Sequence, residues 1–156
     1  MNKLLLTAAI VLAPSIALSD ELSFKSLCHN IGAPSPQEQL GDRDNHAISV
    51  GNFVCQIQTG PLAGGLVTGD ATYEWDKGVG VSKVGGAVYR KGPSILVESI
   101  DSKIELLMDS GKVTGWTATG KTTWVAGNIP EMIGKTATWT AHPVSPLDFE
   151  VVDVIK

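Results

Sequence analysis

The sequence predicts an all-β chain that closes into a single antiparallel barrel of about eight strands, with a lipocalin-like barrel or a β-sandwich as the alternatives. Three observations carry this. Apolar and polar residues alternate with period two through most of the chain beyond residue 46. Short turns rich in Gly, Pro, Asp and Asn separate the alternating runs. No stretch reads as a helix longer than two turns. A chain of 156 residues has room for one domain plus a processed segment. An all-β domain must hide its strand edges, and closure into a barrel hides them completely.

The N-terminal residues 1–19 read as a signal peptide. Lys3 gives the positive start, residues 4–12 the apolar run, and Ala17-Leu18-Ser19 the small residues before a cut at Asp20. A membrane anchor needs about 20 unbroken apolar residues, and Pro14 interrupts this run. The expected product is periplasmic or secreted and carries no membrane anchor. It has 137 residues, with 11 basic against 16 acidic side chains. That acidic balance argues against nucleic acid as a partner, because phosphate binding needs clustered Lys and Arg.

Residues 20–46 read as an irregular segment. Ser35-Pro36, Gly41-Asp42 and Asp44-Asn45 are turn chemistry, and only residues 22–27 could form a short strand or a turn of helix. The barrel domain is expected over 47–156. Its first strand, 47–58, stops at Gly60-Pro61. The run 66–76 alternates cleanly, with Val67, Gly69, Ala71, Tyr73 and Trp75 on one face. Asp76-Lys77-Gly78 turns into the strand 79–90, where Gly85-Gly86 marks a bulge or bend. Lys91-Gly92-Pro93 leads into 95–108, whose alternation slips near Asp101; a helix is the alternative there. Asp109-Ser110-Gly111-Lys112 is a hairpin turn before the Thr- and Trp-rich run 113–125. A loop with Pro130 and room for a helical turn precedes the strand 135–141. The strand 147–155 ends the chain, with Leu147, Phe149, Val151 and Ile155 on one face. Glycines within strands, such as Gly69, Gly85 and Gly120, permit the sharp coiling that a small barrel requires.

Cys28 and Cys55 are the two cysteines. In an oxidising compartment they pair, tying the N-terminal segment to the first confident strand. Trp75, Trp116, Trp124 and Trp139 stand out in a chain with 6% aromatics. Inside a barrel they, with Tyr73, would line a cavity for an apolar or planar molecule. Glu74, Asp70, Asp76, Arg90 and Glu98 are strand or strand-end charges. A carboxylate turned inward could serve as a general acid or base. Glu74, however, is opposite in phase to Trp75, and the solvated reading is preferred for this set. His29, His46 and His142 show no metal-ligand spacing. There is no CxxCH, no GxSxG, and no glycine loop that opens a helix. No metal or cofactor is therefore expected, and no catalytic residue is assigned.

The passages Asp109-Ser110-Gly111-Lys112-Val113-Thr114-Gly115 and Ile133-Gly134-Lys135-Thr136-Ala137 resemble the rhythm of the allene oxide cyclase and dirigent barrels over residues 47–155. That resemblance implies an eight-stranded barrel with a hydrophobic interior, used to bind or cyclise small apolar molecules, often in homo-oligomers. No catalytic motif of the family matches, so no residue role is carried over.

Two function classes follow. One is an exported barrel that binds a small apolar or aromatic molecule, with cyclase or isomerase chemistry as its active variant. The other is a periplasmic or secreted protein-interaction or inhibitor module without catalysis.

Overall fold

Turn residues set where each strand begins and ends. The computed structural model describes residues 22–31 and 37–156; the expected signal peptide and the Ser35-Pro36 turn lie outside the described residues. Nine strands form: β1 (Ser23–Asn30), β2 (Glu38–Gln39), β3 (His46–Ile57), β4 (Leu66–Asp76), β5 (Val79–Lys91), β6 (Ser94–Asp109), β7 (Lys112–Gly127), β8 (Thr136–Pro143) and β9 (Asp148–Ile155). A 3-10 turn, Pro130–Met132, occupies the loop before β8.

The β4–β5 and β6–β7 hairpins turn on Lys77-Gly78 and Ser110-Gly111, each with positive φ at both residues. That is the backbone sense that matches the twist of paired strands. From β3 to β9 every strand pairs antiparallel with the next. β1 pairs with β9 on one side and with β3 on the other, which closes an eight-stranded barrel. The short β2 adds to the same edge of β3 beyond the reach of β1.

Two expectations change. The segment over 20–46 is not wholly irregular, because Ser23–Asn30 is the stave that closes the barrel. Its inward file is Phe24, Ser26 and Cys28, while Leu27 points out and is exposed. One polar residue inside and one leucine outside blur the alternation. Secondly, β6 runs as strand straight through Asp101. The irregularity sits across from it on β5, where the register shifts between Val81 and Gly86. The Gly85-Gly86 pair absorbs that bulge.

The core fills one end of the barrel. Loops after β3 and β7 bring Leu62 and Met132 into a cluster with Phe24, Ile57, Tyr89, Leu96, Trp124, Ala137 and Ile155. Trp124 and Tyr89 are among the largest fully buried side chains. Cys28 and Cys55 face each other in register across the β1–β3 seam and are disulfide-bonded, so the bridge fastens the closure of the barrel.

Candidate functional site

Above this core the barrel is hollow. A cavity of about 550 Å³ occupies the other end. Strand pleat decides what enters it, since alternate residues face inward. Tyr73 and Trp75 come from β4, Trp116 and Trp124 from β7 and Trp139 from β8, and all five line this one cavity. Phe53 of β3 and Phe149 of β9 complete the aromatic wall. Phe149 meets Phe53 and Trp116 edge-on, at ring-centre distances of 6.4 and 5.7 Å, and Tyr73 tilts against Trp75 at 6.2 Å. These are favourable quadrupole geometries.

Glycines on neighbouring strands make room for the rings. Gly80 lies opposite Trp75 and Gly120 opposite Trp139. A Cβ at either position would run into the indole it faces. The strand glycines thus seat aromatic rings as well as permitting coiling.

Three of the aromatics have hydrogen-bonded polar ends. Trp75 Nε1 donates to Ser49 Oγ at 2.8 Å. Ser102 Oγ donates to the Tyr73 hydroxyl at 3.2 Å. Trp124 Nε1 donates to Glu98 Oε1 at 3.1 Å. This last bond corrects the sequence reading of Glu98 as solvated. Its side chain points into the barrel and is 9% exposed. Asp153 of β9, unremarked in the sequence, is 6% exposed and lines the same cavity. Their register partners, Trp124 and Phe24, belong to the packed core. The two carboxyls therefore stand where the core meets the cavity floor.

Burial is the main cause that pushes the Glu98 carboxyl up to about 7, and the Trp124 indole draws it partly back. Burial also pushes Asp153 up, to about 8, with the neighbouring Glu98 charge adding to it. Burial raises Tyr73 above its ordinary value of 10.0, against the Ser102 hydrogen bond. A signal for Glu98 and Asp153 was present. Glu98 is in phase with Leu96, Ile100, Ile104 and Leu106 on β6, and Asp153 with Phe149, Val151 and Ile155 on β9. Carboxylates in an apolar file are the mark of an inward charge.

The other charged candidates lie outside. Glu74 is on the outer face, as its phase requires, yet it is not free. Its Oε2 meets Lys83 Nζ at 2.6 Å and its Oε1 lies 2.7 Å from His46 Nε2. Lys83 and His46 hold the Glu74 carboxyl below its ordinary range. His46 also bonds to Asp42, and these two carboxylates raise its pKa against the cost of burial. Arg90 reaches Thr68 at the surface. Among the described residues no group of three or more His, Cys, Asp or Glu is placed to hold a metal ion.

The cavity can therefore hold a small apolar body against rings while presenting two buried carboxyls, but no Lys, Arg or His, among the described lining residues. Comparison with protein-family models, curated proteins and solved structures finds no match to this chain.

Proposed function

We propose that this chain is an exported small barrel that binds a small apolar or aromatic molecule in its interior. The observation that carries the reading is the cavity of about 550 Å³ walled by Tyr73, Trp75, Trp116, Trp139, Phe53 and Phe149. Its size falls within the range of about 300–1,000 Å³ typical of small-molecule sites, which combine apolar walls with a few placed polar groups. Export is supported by the signal-like residues 1–19 and by the Cys28–Cys55 bridge, which suits an oxidising compartment.

Glu98 and Asp153 favour a second reading within the same cavity. Carboxyls held near neutrality can exchange a proton with a bound molecule, as cyclase or isomerase chemistry requires. Product formation from an apolar substrate, lost in E98Q and D153N, is the test of that variant.

The binding reading is tested by tryptophan emission. Titration with a neutral aromatic alcohol, phenylbutanol, should shift or quench emission and saturate. No saturable change across a panel of apolar molecules overturns the reading and leaves the protein-interaction class.

A further inference from the structure

We propose that the cavity takes an apolar or aromatic molecule bearing a protonated amine, whose ammonium group pairs with Glu98 and Asp153 at the cavity floor. This inference rests on the binding reading above and deepens it.

Two carboxyls line the cavity, and among the described lining residues there is no cationic side chain to neutralise them. Proteins rarely bury acidic side chains without a partner. Glu98 has the Trp124 indole. Asp153 is 6% exposed, and among the described residues none hydrogen-bonds to its carboxyl. Its shift comes from burial and from the Glu98 charge. An acceptor that opens onto a cavity is paired best by a donor that enters with the ligand.

The same two carboxyls select among ligand charges. An apolar acid would bring a third carboxylate against two others, which repel it. A neutral alcohol would gain one hydrogen bond. A primary ammonium supplies three donors and a positive charge. The aromatic wall adds to this preference, because ring faces attract cations. An ammonium would also let the carboxyls ionise, removing the penalty that keeps them protonated. The only other titratable side chain lining the cavity among the described residues is Tyr73, which stays neutral through this pH range.

Binding of an amine that is already protonated, with a pKa of about 10, therefore releases a proton from the carboxyl pair near pH 7. The amine itself is unchanged; the proton passes from Glu98 or Asp153 to buffer.

The test is calorimetric titration of the full chain with three matched probes: phenylbutylamine, phenylbutanol and phenylbutanoate. At about pH 8 the amine should bind about tenfold or more tighter than the alcohol, as a charge-assisted hydrogen bond allows. The carboxylate should bind weakest. Near pH 7 the heat of amine binding should vary with the ionisation enthalpy of the buffer, showing proton release. E98Q and D153N should each bring the amine to the affinity of the alcohol while alcohol binding persists, which shows that the variants are folded and the cavity intact. Equal affinity for amine and alcohol, or an amine preference that survives both substitutions, overturns the amine inference while the cavity reading stands. Failure of all three probes to bind overturns both.

Discussion

The carboxyl pair should make this protein less stable as pH rises, which is the reverse of what salt-bridged carboxylates do. Below about pH 3 both groups are protonated in the folded and the unfolded chain, so they add no pH dependence. As pH rises, the unfolded chain gives up protons that the folded chain keeps. Stability then falls until both groups are ionised in both states, above about pH 9. Raising Glu98 from 4.5 to about 7 corresponds to about 3 kcal/mol once that group is ionised. Asp153, raised from 3.8 to about 8, adds to this, but the pair titrates as a unit and the two contributions are shared. The expected loss between about pH 5 and pH 9 is therefore at least about 3 kcal/mol, a large part of the stability of a small domain. Urea unfolding at pH 5, 7 and 9 measures it. His46 contributes in the same direction, because its raised pKa stabilises the fold only while the ring is protonated. Asp42, Glu74 and Asp148 have lowered values, and their stabilising effect is complete by about pH 5. The double variant E98Q/D153N separates these contributions, since an amide oxygen can still accept from the Trp124 indole. It should lose much less stability over the same range. If the original protein and the double variant have parallel pH profiles, the two carboxyls are not buried as described.

Reducing the Cys28–Cys55 bridge should destabilise the fold by about 3 kcal/mol, from the entropy regained by a loop with sequence separation 27. The melting temperature falls while circular dichroism still reports β structure; two titratable thiols in the native protein would refute the bridge. Trp124→Ala should cost about 3–5 kcal/mol, because it empties a site 1% exposed and strips Glu98 of its donor. Glu74→Ala should cost less, since it removes a surface pair with Lys83 and one of the two carboxylate partners of the buried His46, which keeps Asp42. Equal losses in denaturant midpoint would contradict the assigned facing of the two side chains.

Most of the barrel was legible because period-two alternation is a direct image of the pleat. The β4 file from Val67 to Trp75 and the turns at Lys77-Gly78 and Ser110-Gly111 read straight from sequence to structure. The closing strand β1 was harder to see, because Ser26 inside and Leu27 outside break its pattern, and its two partners are remote in sequence. The aromatic half of the site was legible too, since large rings in alternating strands have few places to go. The acidic half was legible only in its phase, which residue type argued against. Glu98 and Asp153 face inward because their strands' pleat forces them there, against the ordinary preference of a carboxylate for water. Phase outweighs residue type when every neighbour two positions away is apolar.

A cavity-filling variant tests most directly whether the barrel end is hollow and open to a ligand. Gly51 lines the cavity, and a Cβ there meets nothing nearer than Tyr73 Cε2 at 3.8 Å. Gly51→Phe can therefore push a ring into the hollow without a backbone clash. In a fluorescence titration with phenylbutanol, the original protein should saturate and G51F should bind at least about tenfold more weakly while keeping its melting transition. Saturation of both proteins with equal affinity would contradict the account by placing the molecule outside the cavity.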